Sequence, residues 1–221
     1  MKKNVLVLGG ASDIGRAIVA EFHPDYSVFS TYFNSGDVAK ILPGKVMQCD
    51  IRDLDQISHV FGEVPPLDIM VTCAFPFLEG HNLDFQEYQR AEAYLKGHVY
   101  TITLAAQKMN KGGKIFNLLG QCVERGLPGG AHYSAAFAYL HNLGNSINAR
   151  EGKSGDLSIC DLLLGPVDTR EWAGLSEEVI QRYKQKVVAF IQPQQVAKTV
   201  RFLAEQAVTP TTFKLDAFYG L

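Results

Sequence analysis

Apolar residues in this chain fall into two patterns that alternate from one end to the other. Continuous apolar runs near 4–9, 26–32, 45–49, 67–73, 113–119, 157–164 and 212–216 predict strands. Because the segments are mostly continuous apolar runs rather than strict apolar–polar alternations, they suit strands covered on both faces. Apolar residues at helical spacing predict helices near 13–22, 53–62, 85–109, 131–150 and 194–206. The alternation predicts an α/β fold: one doubly wound, mainly parallel seven-stranded sheet with helices on both faces, spanning 1–221 as a single domain. About a dozen residues, Asn34 to Gly44, join the second and third strands. That is tight for a crossover helix and predicts a turn or a helix of one or two turns.

The first strand runs straight into a glycine turn and a helix, Val5-Leu6-Val7-Leu8-Gly9-Gly10-Ala11-Ser12-Asp13-Ile14-Gly15-Arg16. Such a turn aims backbone N–H groups at the helix N-terminus, a site suited to the pyrophosphate of a dinucleotide. A plain strand–turn–helix reads much the same way, so the order of elements carries the inference more than the glycines do. With this turn the predicted sheet becomes Rossmann-like. A ligand in such a sheet sits at the carboxyl ends of the strands, where the winding reverses. The residues to inspect are Gly9 to Gly15, Tyr32 to Ser35, Asp50-Ile51, Cys73 to Pro76, Leu119 to Cys122 and Gly165 to Thr169.

Composition narrows the classes of partner. The 221 residues are 47% hydrophobic and carry a formal net charge of −2, which gives no sign of a nucleic acid or a membrane surface as partner. No stretch approaches the roughly 20 apolar residues of a membrane span. Met1-Lys2-Lys3 reads as a charged lead into a strand rather than a signal peptide. Cys49, Cys73, Cys122 and Cys160 form no CxxC pair, consistent with reduced thiols in a cytoplasmic protein. No histidine or carboxylate cluster has metal-ligand spacing, so no metal is expected.

Together these stretches resemble the short-chain dehydrogenase/reductase family over almost the whole chain. Leu8 to Gly15 resembles its TGxxxGxG turn, with Leu8 for the threonine and Asp13 for the middle glycine. Asp50-Ile51 resembles the pair that flanks the adenine, and Asp68 to Ala74 the DILVNNA strand with both asparagines replaced. Gly165-Pro166-Val167-Asp168-Thr169 resembles the PGPVDT turn over the nicotinamide, and Lys214 to Phe218 the final VDGG strand. The resemblance implies cofactor contacts at Gly9, Ala11, Ser12, Asp13, Ile14, Gly15, Tyr32, Asp50, Ile51, Ala74, Pro166, Val167 and Thr169. It also implies a homodimer or homotetramer in which helices 85–109 and 131–150 pair with their copies.

The family works with a Ser–Tyr–Lys triad, often joined by an asparagine. Tyr133 stands at the tyrosine of YxxxK, with Phe137 at the lysine. Counting from Asn117 and back from Tyr133 puts Gly120 at the serine, and Tyr94-Leu95-Lys96-Gly97 resembles NLxG with Tyr94 for the asparagine. A tyrosine of reference pKa near 10 is a poor base at pH 7 without a nearby cation. Losing one electrostatic donor to a developing alkoxide costs about a hundred- to a thousand-fold in rate. Tyr133 is therefore less impaired as an acid than as a base.

His132, His98, Gln121, Cys73 and Cys122 are candidate stand-ins, each with a blander structural reading. A histidine here can be a partly exposed residue with a backbone partner, and a buried cysteine a small apolar filler. Thr31-Tyr32-Phe33-Asn34-Ser35 places no carboxylate at the end of the second strand, which favours NADP over NAD, with Arg16 the closest cation. The expected activity is an NAD(P)-dependent oxidoreductase reducing a carbonyl on a small-molecule or carrier-bound substrate. The alternatives are a redox-inactive binding protein acting as a regulatory or assembly subunit, or a dehydratase- or cyclase-like enzyme with Tyr133 as acid.

Overall fold

The computed structural model describes residues 2–78, 84–151 and 155–216. Seven parallel strands form one sheet: β1 (Asn4–Leu8), β2 (Ser27–Tyr32), β3 (Lys45–Gln48), β4 (Leu67–Thr72), β5 (Met109–Gly120), β6 (Leu157–Leu164) and β7 (Thr212–Leu215). Their order is β3-β2-β1-β4-β5-β6-β7. The chain winds outward from β1 to β3, returns to β4 on the other flank of β1, and continues to β7. The reversal therefore falls between β1 and β4, and the glycine turn follows β1 there.

The two faces of the sheet come directly from the alternation of side chains along each strand. Val5 and Val7 of β1 point into a core with Ile18, Val19 and Phe22 of α1 (Asp13–Phe22) and Val196, Val200 and Leu203 of α8 (Pro193–Glu205). Leu6 and Leu8 point the other way, toward Ile57 and Val60 of α3 (Leu54–Glu63), Ile102 of α4 (Phe85–Lys108) and Leu140 of α6 (Ala131–Glu151). Several helices start at side-chain caps. Ser12 accepts from Gly15 N–H, Asp53 from Asp55 and Gln56 N–H, and Asp84 from Gln86 N–H.

The short link after β2 is the one-turn α2 (Gly36–Ala39), as its length demands. Three further elements were not anticipated: α5 (Cys122–Arg125) and a 3-10 turn (Arg170–Gly174), both too short to show an apolar period, and α7 (Glu177–Lys184), whose Val179, Ile180 and Tyr183 recur at helical spacing. The last two cover the cleft beyond β6. β5 begins four residues earlier than its apolar run, because Met109 pairs with Leu67 across a register shift. Of the expected final-strand motif, Ala217 and Phe218 lie outside the described residues.

One polar chain crosses the sheet beneath the cleft. Thr72 Oγ1 donates to Asn117 Oδ1 (3.2 Å), and Asn117 Nδ2 to Asp161 Oδ1 (2.8 Å). Asp161 Oδ2 lies 2.8 Å from His141 Nδ1 on α6. Gly144 leaves room for that carboxylate, since a Cβ there would stand 3.2 Å from Oδ2. Burial pushes the Asp161 carboxyl up, against the pull of its bonds from Asn117 and His141. No helix among the described residues is long and apolar enough to cross a membrane.

Candidate active site

The turn after β1 is held open by close backbone approaches. Gly9 has φ +81°, and a Cβ on it would stand 2.7 Å from the carbonyl oxygen of Cys73 at the end of β4. A Cβ on Gly15 would stand 2.1 Å from the carbonyl of Gly9. The glycines thus let β1, β4 and α1 meet at one point. The N–H groups of Asp13 and Ile14 are the first of α1 and have no carbonyl within the helix to bond.

Asp13, at the family's middle glycine, points a carboxylate toward the segment after β6. It accepts from Arg170 N–H (2.8 Å) and Nε (2.9 Å), and pairs with Arg16. Burial alone would raise its pKa, but these bonds outweigh it and lower the pKa. Arg170 is thereby tied to the glycine turn.

A cavity of about 820 Å³ runs along the carboxyl ends of the strands. It begins at Ser35 and at Ala11 to Ile14, passes Cys73, Phe75, Leu118 to Cys122 and Leu164 to Val167, and ends at Trp172 and Tyr183. Of the cofactor positions expected from the sequence, Ala11, Ser12, Asp13, Ile14, Pro166, Val167 and Thr169 line it. Gly9, Gly15 and Ala74 shape its floor without being among its lining residues. Tyr32, Asp50 and Ile51 stand apart from it, toward the outer edge of the sheet. Asp50 accepts from Arg52 Nε (2.9 Å) and Nη2 (2.7 Å), which holds its carboxyl below the usual range. The Arg52 guanidinium in turn lies 5.3 Å from the Phe33 ring centre and 5.4 Å from that of Tyr94.

The four catalytic positions converge, but on rings. Tyr133, in the first turn of α6, has its ring centre 4.3 Å from that of Phe137. Phe75 lies 4.9 Å from Phe137, 5.6 Å from Tyr133 and 5.3 Å from Tyr94. A Cβ on Gly120 would stand 3.5 Å from the Phe137 ring. Phe137 and Tyr94, at the lysine and asparagine positions, therefore join Tyr133 in one aromatic cluster through Phe75, and Gly120 at the serine position borders the Phe137 ring. Burial raises the Tyr133 phenol well above its usual value.

The other candidates separate. His98 is buried under Phe75 with Nδ1 2.9 Å from the Tyr94 carbonyl, and burial pushes its pKa down to about 4. His132 packs edge-on to Tyr88 and does not line the cavity. Burial pushes the thiols of Cys73 and Cys122 up to about 12 and about 11, so neither is a thiolate at neutral pH. Gln121 does line the cavity. Sequence reasoning missed Arg52 and Phe77, and it gave no individual role to Phe75, which lies in the Cys73 to Pro76 stretch, or to Arg170, Trp172 and Tyr183, which lie in the segment from Arg170 to Ile191 expected to cover the pocket. Phe75 alone carried a signal, as the residue directly after the DILVNNA-like strand. Among the described residues no three His, Cys, Asp or Glu side chains gather to hold a metal.

Comparison with known proteins agrees with this geometry. Residues 9–217 match the family profile described as enoyl-(acyl carrier protein) reductase. An acetoacetyl-CoA reductase of Allochromatium vinosum is 25% identical, covering 92% of this chain and 92% of its own. The cyclic-di-GMP-binding biofilm dispersal mediator protein of Escherichia coli (strain K12) is 29% identical over 99% of this chain and 97% of its own. The crystal structure of BdcA in complex with NADPH superposes with a TM-score of 0.85 at 26% identity, covering 99% of this chain and 94% of that one. With its motifs in order on a sheet wound 3-2-1-4-5-6-7 and the profile matched over residues 9–217, the chain belongs to the short-chain dehydrogenase/reductase family.

Proposed function

We propose that this chain is a reductase of the short-chain dehydrogenase/reductase type that uses NADPH to reduce a carbonyl on a small or carrier-bound substrate. The observation that carries the reading is the continuity of one cavity from the glycine turn to Tyr133. The turn fits a dinucleotide, because Gly9 and Gly15 leave a cradle that a Cβ would fill, beside the first amides of α1. Gly9, Ala11 to Gly15, Ala74, Pro166, Val167 and Thr169 would hold it, with Tyr32, Asp50 and Ile51 at the adenosine end. No carboxylate stands at the carboxyl end of β2 itself, which favours a 2′-phosphate, and Arg52, over Phe33 and paired with Asp50, is the cation beside it. NADPH bound to BdcA and the substrate named for the Allochromatium vinosum relative support the same reading.

When bound, the dinucleotide supplies a hydride. The chain's own part is to exclude water with Phe75, Phe77 and Trp172 and to deliver a proton from the Tyr133 hydroxyl to the substrate oxygen. Tyr133 is protonated at neutral pH, so it serves as acid without a neighbouring ammonium. Gly120 and Phe137, at the serine and lysine positions, offer no group to a developing alkoxide, and turnover is slow. That same cluster favours a second reading, a dinucleotide-binding protein without turnover, and the Escherichia coli relative is named for binding.

Titration with NADPH and NADH, followed by nicotinamide fluorescence and then by cofactor consumption with activated ketones, tests both. Tighter binding of NADPH and slow consumption are expected. Binding without consumption of any carbonyl compound selects the second reading, and no binding of any nicotinamide form overturns both. The chain acts as a homodimer or homotetramer through α4 and α6, whose exposed Phe85, Tyr88 and Tyr139 need cover. A monomer in ultracentrifugation at micromolar concentration would refute that assembly.

A further inference from the structure

Three consecutive residues of the 3-10 turn each reach a different neighbour around the cavity. Arg170 Nε donates to Asp13 (2.9 Å), and Trp172 Nε1 donates to the Val167 carbonyl (2.6 Å). Between them Glu171 is exposed and lines the cavity, and its carboxylate accepts from the Phe77 backbone N–H. The Phe77 ring lies edge-on to that of Tyr133 at 5.5 Å, so Phe77 touches both the carboxylate and the tyrosine. Trp172 packs at 5.1 Å against Tyr183, and both rings line the same cavity. Asp13 and Glu171 are the acidic side chains among the lining residues, and they are held differently. Arg170 and Arg16 keep the Asp13 carboxyl below its usual value. Glu171 is reached by solvent from the cavity, yet enough protein crowds it to raise its carboxyl, with the Asp13 charge adding to the rise and the bond from Phe77 opposing it. Arg125, Arg182 and Lys186 also line the cavity, but they do not offset that rise. A carboxylate crowded in this way is stabilised by an incoming cation, and aromatic faces attract the same cation.

We infer that Glu171 is the specificity residue of this cavity and selects a carbonyl compound that carries an ammonium group. The inference rests on the reading of this cavity as the reductase site and names its substrate class. The ammonium donates to the acceptor sites that the Phe77 N–H leaves open on the carboxylate, beside the rings of Phe77, Trp172 and Tyr183. Because Phe77 also packs on Tyr133, a substrate held at Glu171 by one end presents its other end to the tyrosine. The carbonyl carbon takes the hydride of NADPH and the carbonyl oxygen takes the Tyr133 proton, giving an amino alcohol and NADP⁺. Tyr133 regains a proton from water, and the ammonium is unchanged throughout. A neutral analogue of the same shape leaves the carboxylate without its partner. A substrate carboxylate sets like charge against it and suits the cations Arg125, Arg182 and Lys186 instead.

The test uses 4-(aminomethyl)acetophenone, the neutral 4-ethylacetophenone of the same shape, and the anionic 4-acetylbenzoate. Each is titrated calorimetrically into the full chain without cofactor and with saturating NADP⁺, which permits no reduction. The ammonium ketone is expected to bind at least about tenfold more tightly than the ethyl ketone. Glu171→Gln keeps an oxygen for the Phe77 N–H and removes the charge, so a purely structural carboxylate would leave the ratio unchanged. The ratio should instead fall to about one, while NADP⁺ affinity stays within about twofold. Glu171→Met provides the same reading should the glutamine variant fold poorly. Equal binding of the ammonium and ethyl ketones, no binding of the ammonium ketone up to low millimolar, or an unchanged ratio in Glu171→Gln overturns the assignment. Tightest binding of 4-acetylbenzoate also overturns it and gives the cavity to the cations. Absence of cofactor binding or of turnover by the parent removes the reductase reading, and the ammonium-to-ethyl ratio on the cofactor-free chain still decides the role of Glu171.

Discussion

Restoring the triad as Phe137→Lys with Gly120→Ser should raise carbonyl reduction at least tenfold, about 1.4 kcal/mol of barrier. Space exists for the serine. Its Cβ would stand 3.2 Å from Cys122 Sγ, the end of a side chain that can swing, and the ring atoms at 3.5 and 3.7 Å belong to Phe137, which the double variant removes. The Phe137 ring centre is 4.3 Å from that of Tyr133, so an ammonium in its place stands about 5 Å from the phenol. At an effective dielectric constant of about 20 that is about 3 kcal/mol, or about two pKa units, of phenolate stabilisation. The pKa of Tyr133, now raised by burial, falls by that amount, and proton donation becomes easier. Phe137 is 2% exposed, so losing its ring costs about 3–5 kcal/mol less whatever the lysine stem refills. The double variant is first shown to melt cooperatively and to bind NADPH, and its consumption of NADPH with an activated ketone is then followed. Its rate should fall as pH rises through the lowered tyrosine pKa, because the acid is then lost. A folded, NADPH-binding double variant as inert as its parent refutes the reasoning and leaves a pocket rebuilt for binding.

Three further outcomes are expected. Asp13→Gly removes a negative charge beside the phosphate-binding amides and should tighten NADPH about tenfold, whereas Arg170→Ala leaves that carboxylate to Arg16 alone and should weaken it by a similar factor; fluorescence titration reads both. Gly15→Ala drives a Cβ to 2.1 Å from the Gly9 carbonyl, so urea denaturation should show a loss of about 2 kcal/mol or more together with loss of NADPH binding. The Asp161 carboxyl, with its pKa raised by burial above the unfolded value near 3.9, takes up a proton on folding. Its contribution is thus most favourable at low pH and declines as pH rises through the raised value. Asp161→Asn should therefore gain stability relative to the parent between about pH 4 and about pH 7, and a constant difference across that range contradicts the assignment.

The sequence by itself determined the sheet, its parallel winding and the place of the cleft. Mainly apolar runs such as Leu157–Leu164 suit central strands, and Gly9 and Gly15 suit a turn where backbones touch. These are local demands of period and backbone conformation, readable without a partner in view. The same local reading placed Tyr133, Phe137, Gly120 and Tyr94 at the catalytic positions, but as four separate losses. Only the tertiary structure decided that they are one change. Phe75, from the end of β4, fills the space among Tyr94, Tyr133 and Phe137, residues 19 to 62 positions away along the chain. The tie between Asp13 and Arg170 spans 157 residues, and Arg52 meets Phe33 across two strand ends. No period or motif encodes such meetings, because they arise where crossovers bring strand ends together. Gln121 shows the difference most sharply. In sequence it is a polar residue at a strand end, and only close packing on every side leaves its amide buried and unpaired.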